Sequence, residues 1–177
     1  MATVKEKRDE ILKDPAAPIF GNPDGDVTVV EFFDYRCPYC KSVAGKAMET
    51  AKKDGKVRVM FKELPILGPE SVFAARAALA AQRQGKYIEY HLALMRSRER
   101  LTDEITIRIA QGVGIDLEKL KKDMGSPEIK RQLEANLELA QELGIRGTPA
   151  FIVGDRLAPG AIDEETLVKM IADARKK

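Results

Sequence analysis

The stretch V-T-V-V-E-F-F-D-Y-R-C-P-Y-C-K-S-V, Val27–Val43, constrains the fold more than any other part of the chain. Val27, Val29, Val30, Phe32 and Phe33 form an apolar, β-branched and aromatic run that reads as a buried strand. The run ends at Asp34-Tyr35, and Cys37-Pro38-Tyr39-Cys40 then opens a helix. Its apolar face continues through Val43, Ala44, Ala47, Met48 and Ala51 to a stop at Asp54-Gly55. Val57–Leu64 returns to period 2, with Val57, Val59 and Phe61 alternating against Arg58 and Lys62. Strand, helix and strand in that order predict a β-α-β unit with parallel pairing and a right-handed crossover.

The rest of the chain is arranged around this unit. Residues 1–17 form an N-terminal helical arm, charged apart from Val4, Ile11 and Leu12 and closed by Pro15 and Pro18. Such an arm suits packing on the domain, pairing with a second copy, or a solvated leader. Residues 18–67 carry the first half of an α/β domain, with the turn-rich G-N-P-D-G-D at 21–26 leading into the first strong strand. Residues 68–144 are an all-helical insertion. Gly85, Gly114, Gly125 and Gly144 stand at helix ends, and Thr102, Asp116 and Ser126-Pro127 stand at helix starts. Residues 145–177 return to strand at Ala150–Val153, turn at Gly154-Asp155, and end in a helix capped by Asp163. The order is β-α-β, helices, then β-β-α.

Bulk composition limits the function classes. With 177 residues, 44% hydrophobic and 33% charged, the chain has material for a real core. Thirty basic residues nearly balance 28 acidic ones, and no basic stripe interleaved with aromatics appears, so nucleic acid is not an expected partner. No apolar run reaches the ~18–20 residues that span a bilayer. The opening M-A-T-V-K-E-K-R-D-E has no apolar core of a signal peptide, which suits either a cytoplasmic chain or a mature exported one.

The chemistry concentrates at the two cysteines, both of which lie in the one C-P-Y-C motif. At a helix N-terminus the Cys37 sulfur faces unpaired N–H groups and the positive end of the dipole, which favour thiolate. Pro38 at the first helical position loses no hydrogen bond. Cys40, one turn in, is less accessible and suited to resolve a mixed disulfide on Cys37. Structural zinc is a poor alternative, because no second cysteine pair exists and His91 is the only imidazole. Glu31 interrupts an otherwise buried run six residues before Cys37, so its carboxyl is expected to be desolvated, raised in pKa, and placed to exchange a proton with Cys40. An edge-facing glutamate is the bland alternative. Lys62 on the neighbouring strand is a candidate ion partner for Glu31 or a snorkelling surface lysine. Gly147-Thr148-Pro149 enters a strand and is a candidate cis peptide, exposing the Thr148 backbone to an extended substrate. His91 lies on an apolar stripe and reads as a core or interface histidine, and Tyr39 reads as a residue that shapes substrate contact.

Three motifs then carry a resemblance. E-F-F-D-Y-R-C-P-Y-C-K, F-K-E-L-P-I-L-G-P-E-S (Phe61–Ser71) and G-T-P-A-F-I-V-G (Gly147–Gly154) together resemble the DsbA-like thiol–disulfide oxidoreductases, from about Pro18 to the C-terminus. The resemblance implies a thioredoxin-like fold with an inserted helical domain and protein disulfide oxidoreductase or isomerase activity. Cys37 would be the exposed nucleophile, Cys40 the resolving thiol, Glu31 the buried acid beneath the disulfide, and Thr148-Pro149 the cis-proline substrate loop, with Pro38 and Tyr39 facing substrate. No cofactor or metal beyond the redox-active pair is implied. The expected partners are unfolded or misoxidised proteins and a membrane redox partner, with a homo-oligomer through the N-terminal arm as a further expectation. The implied setting is the periplasm, the chain being a mature form without its signal peptide. The C-P-Y-C dipeptide and the charged arm are most similar to the ScsC-like (suppressor of copper sensitivity) branch, which keeps a copper- or soft-metal-binding thiol protein as the alternative function. Strong oxidases of the family carry histidine before the second cysteine, where this chain has Tyr39. The Cys37 thiolate loses a donor there, which shifts expectation from oxidase toward isomerase or reductase.

Overall fold

A computed structural model describes residues 1–177. Its elements in chain order are α1 (Arg8–Leu12), β1 (Ile19–Gly21), β2 (Val27–Phe33), α2 (Pro38–Val43), α3 (Lys46–Asp54) and β3 (Val57–Glu63). Five helices follow: α4 (Pro69–Gln82), α5 (Tyr87–Arg96), α6 (Asp103–Gly112), α7 (Leu117–Met124) and α8 (Pro127–Glu142). The chain closes with β4 (Ala150–Val153), β5 (Arg156–Pro159) and α9 (Glu164–Arg175).

The strands form one five-stranded sheet in the order β1-β3-β2-β4-β5. β2 and β3 are parallel, with Val27 opposite Val57 and Phe33 opposite Glu63, as a β-α-β crossover requires. β4 pairs antiparallel with β2 and with β5, and β1 pairs antiparallel with β3. β1 is a strand that the sequence pattern did not disclose: at three residues it is too short to show alternation, and it ends at Gly21, whose φ of 88° only glycine adopts freely. Thr102, Asp116, Ser126 and Asp163 each accept a hydrogen bond from the N–H three residues on, as their positions before apolar stripes predict.

One expectation is corrected within the crossover. The apolar face from Cys37 to Ala51 implies a continuous helix, yet α2 and α3 are separate. The helix breaks at Ala44, whose backbone is extended, and Gly45, at φ 87°, starts α3 in a new direction. Side-chain periodicity survives the break because both helices pack on the same sheet face.

The sheet separates two cores. The larger holds Val29, Phe33, Phe61, Phe151 and Val153 from the strands, both cysteines, and the apolar sides of α3, α4, α5 and α9. The smaller lies on the other face, where Val30, Phe32, Met60 and Ile152 meet Leu139 and Ala140 of α8, Leu143 just after it, and Val4, Ile11 and Ala17 of the arm. The arm is therefore no solvated leader. Ile11 is 1% exposed, and the Ala2 N–H bonds the carbonyl of Glu142. No helix is long and apolar enough to cross a membrane.

Candidate active site

The turn that carries the thiols is built where β2 stops. The carboxylate of Asp34 accepts hydrogen bonds from the backbone N–H groups of Arg36 (2.8 Å), Ile66 (2.8 Å) and Leu67 (3.1 Å) and from the Ser71 hydroxyl (2.8 Å). It so pins the turn after β2 to the loop after β3, while its carbonyl accepts from the Cys37 N–H at 3.1 Å. Cys37 then stands at the N-cap of α2 with extended backbone, and Pro38 fills the first helical position. The Cys37 Sγ accepts from the Cys40 N–H at 3.2 Å, the orphan-donor contact that a sulfur at this position should make. It also donates to the Thr148 carbonyl at 3.4 Å.

That second contact corrects the expected exposed nucleophile. Cys37 is 5% exposed and Cys40 1%, because the Thr148–Pro149 loop lies over the Cys37 sulfur. The Thr148–Pro149 peptide is cis, as the Gly-Thr-Pro entry to a strand predicts, and Gly160 N–H holds the loop through the Pro149 carbonyl at 2.8 Å. Tyr39 projects from the same end of the molecule at 70% exposure, while its carbonyl accepts the Ser42 hydroxyl. Both cysteines are free thiols here, and burial, then the hydrogen bond with Cys37, pushes the Cys40 thiol well above its ordinary range. Lys41 reaches sideways: its ammonium donates to the carbonyls of Leu94 (2.9 Å) and Ser97 (3.0 Å) at the C-terminal end of α5, where a cation complements the helix dipole. Burial lowers the Lys41 pKa against the opposing pull of Cys40 and Asp34.

Glu31 is 3% exposed, on the face shared with Phe33 and Phe61, and burial alone raises its carboxyl to about 8. No hydrogen bond joins it to either sulfur. Lys62 does not serve it. In the parallel register Lys62 is opposite Phe32, so its side chain leaves the sheet on the other face, where the ammonium, 2% exposed, pairs with Asp14 of the arm at 2.6 Å. That lysine is neither of the two things expected of it.

A second buried carboxyl escaped the sequence reading. Glu63, 1% exposed, accepts hydrogen bonds on one oxygen from the hydroxyls of Tyr35 (2.8 Å) and Tyr87 (2.6 Å). The Tyr35 hydroxyl also lies 2.8 Å from Nδ1 of His91, which is a core histidine as expected, stacked on Tyr87 and edge-on to Phe33. Burial lowers His91 to about 3, so the ring is neutral. Burial also raises Glu63 to about 8, with the two phenols opposing and Asp34 and Glu31 adding repulsion. The available signal was positional: Glu63 lies two residues after Phe61 and so shares its face, but its tyrosine partners stand 28 and 24 residues away. No group of three or more His, Cys, Asp or Glu side chains gathers in metal-ligand geometry.

Comparison with known proteins points the same way as this geometry. The DSBA-like thioredoxin domain family matches residues 28–172. A probable disulfide bond formation protein D of Bacillus anthracis is 30% identical over 186 residues, covering 98% of this chain and 85% of that protein. A thioredoxin-like oxidoreductase from Silicibacter pomeroyi superposes with a TM-score of 0.94 at 47% identity, covering 96% of this chain and 98% of the other. The catalytic domain of Proteus mirabilis ScsC gives 0.89 at 28% identity, covering 98% and 97%. A periplasmic thioredoxin-like protein from Salmonella enterica serovar Typhimurium gives 0.86 at 31% identity over the whole of both chains.

Proposed function

We propose, from the premise that this chain belongs to the DSBA-like thioredoxin-domain family and is a thiol–disulfide oxidoreductase, that Cys37 is its attacking sulfur and Cys40 its resolving one. The observation that carries the assignment is the Cys37 sulfur itself, at a helix N-cap with the Cys40 N–H at 3.2 Å on one side and the Thr148 carbonyl at 3.4 Å on the other. Substrate enters by displacing the Thr148 contact. Its backbone lies extended along Thr148–Pro149, with Tyr39 and Pro38 at its side. In the reducing direction the Cys37 thiolate attacks a substrate disulfide, forming one S–S bond and expelling one thiolate. Cys40 then gives its proton to the Glu31 carboxylate through an intervening water, attacks the Cys37 sulfur, and releases the second substrate sulfur as thiolate. Two electrons pass to the substrate and the Cys37–Cys40 disulfide forms; the oxidising direction is the reverse.

Tyr39 makes no hydrogen bond to Cys37, which leaves the thiolate with fewer donors than a histidine there would give and favours isomerase or reductase use over strong oxidation. The substrates are unfolded or misoxidised proteins, and a membrane redox partner resets the pair. A periplasmic setting and a place in the ScsC-like branch are supported by the likeness to the Salmonella and Proteus proteins. The test is insulin reduction and refolding of a scrambled multi-disulfide protein, with Cys37→Ser beside wild type. Equal rates in the two would remove the assignment.

A further inference from the structure

Three segments close around the Cys37–Cys40 turn, and each brings arginine to it. Arg36 stands directly before Cys37, its guanidinium bonded to the Leu67 carbonyl at 3.1 Å. Arg96 and Arg98 flank Ser97, whose carbonyl accepts the ammonium of Lys41, the residue after Cys40, at 3.0 Å. Arg146 stands two residues before Thr148, whose carbonyl meets the Cys37 sulfur at 3.4 Å. Two chain steps part the Cα atoms of Arg146 and Thr148 by no more than about 7 Å. Arg96, Arg98 and Arg146 are exposed, and none of them pairs with a carboxylate. The acids of these segments are already occupied. Glu70 holds Arg100 at 2.7 Å with Arg36 at 3.7 Å, and Glu99 holds Arg108 at 2.6 Å. Asp34 is buried among its own donors. Asp103 and Glu104 stand in the first turn of α6, where the helix dipole offsets them. The whole chain carries a net charge of only +2, so unpaired arginines gathered at this one end are a segregation of charge and not a general excess.

The centre of the same face is apolar. Tyr39 is 70% exposed, Ile66 38% and Leu67 45%, and the bonds from the Ile66 and Leu67 N–H groups to Asp34 tie their loop to the thiol turn. An apolar centre inside a charged rim is the anatomy of a surface that binds polypeptide. We propose that the arginines around the thiols select the substrate, so that Cys37 exchanges fastest with disulfides of unfolded segments whose cysteine is flanked by acidic side chains. The proposal rests on the reading of Cys37 as the attacking sulfur and adds the class of segment that reaches it. The unpaired arginines draw an acidic segment to the face, and Tyr39, Ile66 and Leu67 cover its apolar side chains once it lies along Thr148–Pro149. A cysteine flanked by lysine or arginine meets like charge and arrives more slowly. Arg36 is committed to the Leu67 carbonyl and to Glu70, which leaves Arg98 and Arg146, on opposite sides of the turn, as the cations free to meet a substrate carboxylate.

The experiment measures the second-order rate at which the reduced protein cleaves two disulfide-linked peptide dimers, one with glutamates beside the cysteine and one with lysines. Each turnover oxidises Cys37 and Cys40 to their disulfide and releases two peptide thiols, counted by chromatography after acid quenching. Each rate is divided by the rate of the same peptide with dithiothreitol, an uncharged dithiol, to remove differences in intrinsic reactivity. At an ionic strength of about 20 mM the glutamate peptide is expected to lead by about tenfold. At about 1 M, where the Debye length shrinks to about 3 Å, the lead is expected to fall within about twofold. The double variant Arg98→Glu/Arg146→Glu is expected to reverse the order at low salt. Equal normalised rates in wild type, a lead that survives 1 M salt, or a lead unchanged in the double variant overturns the proposal. Cleavage by Cys37→Ser at the wild-type rate overturns the reading of Cys37 and the proposal with it. Loss of cleavage in Cys37→Ser, with equal rates for the two peptides in wild type, removes only the selection by charge.

Discussion

Lys62 gives the sharpest energetic test of how the arm is attached. Its side chain is 2% exposed and its ammonium meets Asp14 at 2.6 Å, while Asp14 is 21% exposed and also accepts the Ala16 N–H at 3.2 Å. Asp14→Asn keeps the acceptor for Ala16 and removes only the charge, stranding a buried ammonium. Breaking a buried pair this way costs about 3–5 kcal/mol, and the partial access of water at Asp14 brings the expectation to about 2–3 kcal/mol. For a domain of this length that corresponds to a Tm lower by about 4–12 °C. Lys62→Met reverses the logic. The methionine fills the same channel without a charge, Asp14 turns to solvent, and the cost is expected to stay within about 1 kcal/mol. In the Lys62→Met background Asp14→Asn should then be nearly silent. Urea unfolding at pH 7 of wild type, both single variants and the double variant closes the cycle. Equal losses in the two single variants, or a larger loss in Lys62→Met, would refute the claim that desolvation of the lysine governs this contact.

Three further outcomes follow from the site. Cys40→Ser should accumulate a mixed disulfide with substrate on Cys37, visible as an added mass removed by dithiothreitol, and failure to trap substrate would argue against the division of roles. Glu31 is raised from 4.5 to about 8, so the stability it contributes is complete below pH 4.5 and is lost as pH rises toward 8, by about 1.4 kcal/mol per pH unit while it titrates. His91, lowered from 6.5 to about 3, acts oppositely below pH 6.5, so the window to measure is pH 6.5–8: wild type should weaken there and Glu31→Gln should weaken less, parallel slopes being the contrary result. Lys41→Met strands the carbonyls of Leu94 and Ser97 and should cost about 1–3 kcal/mol in thermal or urea unfolding, and a neutral effect would show that these bonds contribute nothing net.

What the sequence disclosed depended on how local the cause was. The caps at Thr102, Asp116, Ser126 and Asp163 act over three residues, so their helices were legible to within a residue or two. Cys37, Cys40 and the cis Thr148–Pro149 peptide were legible because chemistry and backbone demand those residue types in those positions. The failures lie where long-range packing decides. Nothing near Lys62 signals that Asp14, 48 residues back, will cover it, nor that the strand register turns it away from Glu31. Nothing near Glu63 signals that Tyr35 and Tyr87, 28 and 24 residues away, will converge on it. The break at Gly45 was hidden because both helices bury the same periodic side chains.

Lys41 also fixes how the molecule is jointed. The residue next to Cys40 hangs from the last turn of α5, so the short helix bearing the sulfurs is riveted to the helical block, while on its sheet side it is followed by Gly45, where an added side chain would meet no neighbour. As a prediction of motion, a swing of the helical block carries both sulfurs with it and opens or closes the gap to the Thr148 carbonyl, with the bend absorbed at Ala44–Gly45. Hydrogen exchange should then be faster at 44–46 than in α2 or α3, and even protection across all three would count against the bend.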